Sequence, residues 1–258
     1  MRQISANYII PVNQAPIKNG LITIDDNGQI ININQLTEEQ RNTEFYNGVI
    51  VPGFVNAHCH LELSYLKGKI PKHTGHEKFI KKIVNLIQSI PPNKSDILSA
   101  DNQMINEGIV AVGDISNTTI SAEIKRNSQI YYHTFIEIAD FFDPQIATEK
   151  IQYAKNISET FENYSIVAHS PYTCSPKFVE KTANLSEKIY SIHNQETSTE
   201  NNLYLSGQGS IADLIRQSGK FNKFEPTKLT SLQSYFSKLP KDKNLLLVHN
   251  LFTNKLIS

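Results

Sequence analysis

Two histidines one residue apart, His58 and His60, close the segment Pro52-Gly53-Phe54-Val55-Asn56-Ala57-His58-Cys59-His60. The apolar run Val49-Ile50-Val51 leads into it through a Pro-Gly turn. Side chains at i and i+2 of a strand point to the same side. The pair can therefore offer two imidazoles to one metal ion at a strand end. Imidazole suits zinc, iron, copper and nickel, and a metal held there can activate water for hydrolysis. Taken alone, His-x-His also fits two polar residues on a half-exposed strand. The histidines further along favour the chemical reading.

His169 follows Ser165-Ile166-Val167-Ala168, His193 follows Tyr190-Ser191-Ile192, and His249 follows Leu246-Leu247-Val248. With His58 and His60, five of the eight histidines thus sit at the C-terminal ends of strand candidates. Glu196 lies just beyond His193 in His193-Asn194-Gln195-Glu196-Thr197-Ser198-Thr199-Glu200. A carboxylate beside an activated water can carry a proton from that water to a substrate. The competing role for Glu196 is an acid opening a helix, where it complements the helix dipole. His193 before it and Glu200 after it favour the chemical role.

The elements that must position these residues change character along the chain. Residues 1 to 50 read as short strands and turns, with Asp25-Asp26-Asn27-Gly28 between Leu21-Ile22-Thr23-Ile24 and Gln29-Ile30-Ile31-Asn32-Ile33. An Asn-Gly between β-rich runs is a hairpin signal. From residue 51 a second domain is expected, with strands over 49–57, 109–114, 130–138, 164–168, 189–192 and 245–248. Helices are expected over 78–90, 96–107, 147–161, 176–186, 211–217 and 227–239, on apolar residues at helical spacing. Strands alternating with helices imply an α/β fold with a parallel sheet. Polar chemistry gathered at the strand C-termini favours a (β/α) barrel of the TIM type. A doubly wound sheet is the alternative, disfavoured because no Gly-x-Gly-x-x-Gly follows the first strand.

Composition excludes several classes of function. The 258 residues include 39% hydrophobic and 19% charged positions, as in ordinary globular proteins. Lysine plus arginine and aspartate plus glutamate each total 25, with no basic stripe, which argues against a nucleic acid or an anionic membrane surface as partner. Cys59 and Cys174 are far apart and form no Cys-x-x-Cys, so small buried filler in a reducing compartment is expected. No signal-peptide stretch and no run of membrane-spanning length is present, and the cytoplasm is the expected location.

Pro-Gly-Phe-Val-Asn-Ala-His-Cys-His-Leu-Glu-Leu-Ser, then His-Ser-Pro-Tyr-Thr-Cys-Ser, then His-Asn-Gln-Glu-Thr-x-x-Glu and Val-His-Asn together resemble the metal-dependent amidohydrolase superfamily. Within it they are similar to the branch of cytosine, guanine, S-adenosylhomocysteine and aminodeoxyfutalosine deaminases and triazine chlorohydrolases. The resemblance implies a (β/α)8 barrel and one divalent metal ion, zinc in the first place and iron as the alternative. His58, His60 and His193 would be ligands, with His249 a ligand or the group that orients the attacking water. It implies Glu196 as proton shuttle and His169 as a substrate contact. No lysine ends the fourth barrel strand, so a single-metal site is implied. The expected reaction is hydrolytic deamination of an aminopurine, a nucleoside-like compound or a related cyclic amidine, a small-molecule substrate, in a protein that forms homodimers. Hydrolysis of a cyclic amide or an imidazolone is the runner-up.

The sequence departs from this family after residue 250. The resemblance implies seventh and eighth strands, the eighth carrying an aspartate, whereas the chain stops at Asn254-Lys255-Leu256-Ile257-Ser258. The expectation is therefore a C-terminally truncated barrel with about six of eight strands, weak metal binding and little turnover. A non-catalytic metal-binding remnant is the reading from another class. Glu62, after His60, is expected at the substrate or bracing the site, and Ser64 with it. Tyr172 borders the pocket or packs, His133 lines the core or the barrel rather than binding metal, and Asp114 caps the end of the second strand, with support of a metal histidine as the alternative. His73 and His76, flanking Thr74-Gly75 after the first strand, read as a solvated loop, with the lining of the substrate mouth as the alternative.

Overall fold

The computed structural model describes residues 1–37, 42–217, 219 and 224–253. The chain's last residues, 254–258, lie outside the described residues. Two compact units are present, Met1–Phe54 and Val55–Ser258.

The first unit is a four-stranded sheet in the order β3-β2-β1-β4, from β1 (Arg2–Ile9), β2 (Ile17–Ile24), β3 (Ile30–Gln35) and β4 (Thr43–Ile50). β2 and β3 form the antiparallel hairpin that Asn27-Gly28 announces, and β1 pairs with β4 in parallel. Gly28 takes φ +82° at the turn, a conformation glycine adopts without steric cost.

The second unit alternates strands and helices. β5 (Phe54–Cys59) and a 3₁₀ turn (Leu61–Leu66) lead to α1 (His76–Ser89) and α2 (Lys94–Asn106). β6 (Ile109–Ser116), α3 (Ala122–Asn127), β7 (Tyr131–Ile138), α4 (Pro144–Ser158) and β8 (Tyr164–Ala168) follow. Then come α5 (Pro176–Leu185), β9 (Ile189–Asn194), α6 (Ser198–Ser206), α7 (Ser210–Gln217), α8 (Ser231–Tyr235) and β10 (Asn244–His249).

The sheet runs β5-β6-β7-β8, and β9 pairs with β10. β6–β7, β7–β8 and β9–β10 are parallel pairs. The His193 N–H donates to the His169 carbonyl at 2.9 Å and ties β9 to the end of β8. Strand order follows chain order, and no reversal of the kind that defines a doubly wound sheet occurs among the described strands. β7, β8 and β9 are buried almost throughout, as strands covered on both faces must be. Ile136, Val167, Phe178, Val179, Tyr190 and Ile192 form the centre of the main core. Among the described residues no helix is long and apolar enough to cross a membrane.

Three local expectations are corrected. The strand expected over 49–57 is two strands, because Pro52 has no N–H to donate and Gly53 weakens a ladder. The helix expected over 227–239 starts only at Ser231, where Thr230 and Gln233 form a capping box, and ends in a 3₁₀ turn. α3, α6 and the turn Leu61–Leu66 are additional. α2, α4 and α5 begin where Asn93, Asp143 and Ser175 cap them through side-chain oxygens, with proline in the first turn of the last two.

β6 approaches β5 closely at Gly113. A Cβ there would lie 2.6 Å from the Ala57 carbonyl oxygen and 3.0 Å from the Phe135 ring. Ala57 immediately precedes His58, so this contact seats the His-x-His strand. Gly113→Ala is expected to destabilise the fold by about 1–3 kcal/mol, read as a lower urea midpoint; an unchanged midpoint contradicts the close approach.

Candidate metal centre

Five imidazoles from four strand ends meet at one place. His58 lies in β5, His60 follows it, His169 follows β8, His193 lies in β9, and His249 ends β10. The His58 ring centroid is 4.9 Å from His60, 4.8 Å from His193 and 5.8 Å from His249. His193 is 5.7 Å from His60, 5.4 Å from His249 and 4.9 Å from His169. One ring nitrogen from each of His58, His193 and His249 lies within 4.8 Å of the other two. Glu137, His169 and His193 form a second such group. Period-two alternation turns Cys59 away from the rings, toward Asp114, and burial pushes its thiol up to about 12.

The rings are held in place from behind. His193 Nδ1 lies 3.0 Å from the His169 carbonyl and 3.0 Å from Glu137 Oε2, which orients the ring. Glu137 comes from the C-terminal end of β7 and is 6% exposed. Burial would raise its carboxyl, but the facing His169 and His193 hold it well below the usual range. His169 Nδ1 is engaged by Thr173 Oγ1 at 2.7 Å and Ser170 Oγ at 2.9 Å. Beside His60, the Leu61 N–H donates to Asp114 Oδ1 at 2.7 Å, while Lys125 Nζ sits 2.5 Å from Asp114 Oδ2. Asp114 lies inside β6, which runs on to Ser116, and it anchors the chain as it leaves the His-x-His pair.

Glu196 stands over the cluster. Its Oε1 is 3.5 Å from His249 Nε2, and its Oε2 is 2.9 Å from His76 Nε2. Burial opposes its charge, yet His76, His249 and His193 bring its carboxyl down to about 2. Thr197 caps α6, so Glu196 precedes the helix, and the first-turn acid is Glu200. Two residues that aim these groups take left-handed backbone, Gln195 at φ +46° and His249 at φ +78°. Non-glycine residues there store strain, which gathers at functional sites.

Of the two readings of His76, the solvated loop does not hold. His76 opens α1, and its side chain is 14% exposed and faces Glu196. The pair is a close contact outside hydrogen-bonding geometry, and His76 Nδ1, also buried, has no hydrogen-bond partner. Tyr172 packs edge-on against His76 and His169, with a buried hydroxyl that is also unpartnered. It therefore both borders the site and packs. Glu62 is engaged elsewhere: its oxygens accept from the Asn117 N–H at 2.8 Å, the Thr118 N–H at 3.1 Å and the Thr118 hydroxyl at 2.8 Å. Both carboxylate oxygens are thus engaged by the segment Asn117-Thr118. His133 bonds Ser165 Oγ at 2.9 Å within the sheet, and His73 is exposed.

No family model matches the chain. It is 26% identical over 256 residues to a 5'-deoxyadenosine deaminase of Methanococcus maripaludis, covering 87% of this chain and 57% of that protein. It is 24% identical over 221 residues to an adenosine deaminase of Helicobacter pylori, covering 81% of this chain and 53% of that protein. The crystal structure of Helicobacter pylori aminofutalosine deaminase in complex with methylthio-coformycin superposes with TM-score 0.78 at 21% identity, covering 98% of this chain and 65% of that one. The chain resembles the deaminase branch of the metal-dependent amidohydrolase superfamily. It spans little more than half the length of the curated relatives it matches.

The cluster's chemistry fits a divalent metal. His58 Nδ1 is buried with no hydrogen-bond partner, a costly state unless a ligand completes it. Burial first, then His193, His60 and His249, lower the His58 pKa to about 3, so its ring is a neutral electron-pair donor near pH 7. Glu137 against His193 has the arrangement in which a carboxylate orients a histidine that binds a metal. Glu137→Gln keeps the volume and is expected to weaken zinc binding about 10- to 100-fold in competition with a chelating dye; unchanged affinity contradicts that role.

Proposed function

We propose that this chain carries the metal centre of a hydrolase that removes an amino group from an aminopurine nucleoside or a similar cyclic amidine. The parallel strands are read as those of a TIM-type (β/α)8 barrel, whose sites lie at the strand C-termini. His58, His60, His193 and His249 are the proposed ligands of one divalent ion, zinc in the first place and iron second. The ion supplies Lewis acidity that brings a water's pKa down to about 7.

The chain's own residues do the rest. Glu196 takes a proton from the attacking water and delivers it to the ring nitrogen beside the amino-bearing carbon. It then moves the second proton of that water, taken from the hydroxyl now bonded to the carbon, to the amino group as the carbon–nitrogen bond breaks, so that substrate and water become a carbonyl product and ammonia. His249, 3.5 Å from Glu196, keeps that carboxylate next to the cluster. His169 has Nδ1 held by Thr173 and Ser170, so Nε2 is the atom it offers a substrate. Tyr172 and His76 wall the same side. The names of the relatives, deaminases of adenosine and 5'-deoxyadenosine, support a nucleoside-type substrate. The observation that carries the reading is Glu196 poised over a cluster of strand-end imidazoles.

Ammonia release from adenosine and 5'-deoxyadenosine by zinc-loaded protein is the test. Activity is expected to vanish on chelation and return with zinc. Glu196→Gln is expected to lower kcat by about 10²–10⁴-fold with metal content unchanged. Full activity in the chelated protein, or in Glu196→Gln, overturns the reading.

A further inference from the structure

We propose that Glu200 is a positioning residue for Glu196, gripping the two peptide groups that aim it at the imidazole cluster; the kinetic arm of the test rests on the deaminase reading above. Glu200 and Ser231 are both 0% exposed. Glu200 Oε1 accepts from the Gln195 N–H at 3.1 Å and from the Ser231 hydroxyl, and Oε2 accepts from the Glu196 N–H at 3.3 Å.

The spacing is that of a capping box, Thr197 at the cap and an acid three residues on. In a capping box the acid reaches back to the N–H of the cap residue itself. Here it reaches past Thr197 to the two residues before the helix. The helix does not need that bond for its cap, because Thr197 already accepts from the Thr199 N–H. What Glu200 holds instead is the turn between His193 and the helix.

That turn requires holding. Gln195 sits at φ +46°, where a side chain is disfavoured by about 1–3 kcal/mol. Its side chain is tied down as well, Nε2 donating to Asn201 Oδ1 at 2.9 Å and Oε1 accepting from the Thr253 hydroxyl. The Glu200 carboxylate is costly where it is: among the described residues no cation pairs with it, and burial pushes its carboxyl up to about 7. A neutral residue would fill the same space at less cost. The three donors around it, two of them the peptide N–H groups of Gln195 and Glu196, explain its presence as a staple for the turn that carries the proton shuttle.

The test has two arms. Amide hydrogen exchange reads the staple directly, without substrate. In Glu200→Ala, and in the milder Glu200→Gln, the Gln195 and Glu196 amides are expected to exchange at least about tenfold faster. The His193 amide, held by the His169 carbonyl, stays protected. Equal protection of all three amides in both variants overturns the inference. In the kinetic arm, Glu200→Gln is expected to lower kcat about 10- to 100-fold with KM unchanged, and to have no further effect in a Glu196→Gln background. An equal loss in that background overturns the inference, since the residue then acts on the fold and not through Glu196. Wild-type protein that releases no ammonia sinks the deaminase reading alone, and the exchange arm still decides the role of Glu200.

Discussion

Imidazoles packed with centroids about 5 Å apart repel one another when protonated. Burial and the neighbouring rings lower His58, His60, His169 and His249 and favour their neutral forms, whereas at His193 burial is outweighed by Glu137, which raises it; much of the second unit serves that balance. Burial and mutual proximity bring His58 down to about 3 and His169 to about 4, for which burial is the first cause. Glu137 is the buried acid behind the cluster, and it orients His193 by its Nδ1. Neutral rings with lone pairs directed at one point are the form in which histidine binds a metal.

The backbone pays for this convergence in a few places. Gly113 lets β6 press against the carbonyl just before His58. His249 and Asn250 both turn left-handed as β10 ends, at φ +78° and φ +53°. Asn250 is also tied across to β9, its N–H donating to the Asn194 carbonyl at 3.0 Å. Such outliers persist only where surrounding contacts over-determine them. Here the contacts are strand pairing below and side-chain hydrogen bonds above.

The histidines were legible in the sequence because each breaks an apolar run at its end, and because period two puts His58 and His60 on one side. The parallel α/β alternation was legible for the same reason, since buried strands are nearly unbroken apolar runs. Glu137 was not: a single acid inside Thr134-Phe135-Ile136-Glu137-Ile138 reads as a face marker until the neighbouring strands show that both faces are covered. His76 gains its place from where α1 begins relative to β9, a distance in space that no spacing in the chain encodes. Glu62 lies two residues past His60, yet its partners Asn117 and Thr118 are more than fifty residues away. Local chemistry is written locally, whereas the groups that brace it are fixed by tertiary packing.

The central claim is that these strand-end imidazoles form one metal centre. X-ray absorption at the zinc edge of zinc-loaded protein tests it most directly. The account predicts a first shell of nitrogen and oxygen only, with the outer-shell scattering of three or more imidazoles, reduced by one ring in His58→Ala. Sulfur in the first shell, or a spectrum unchanged by that substitution, would contradict it.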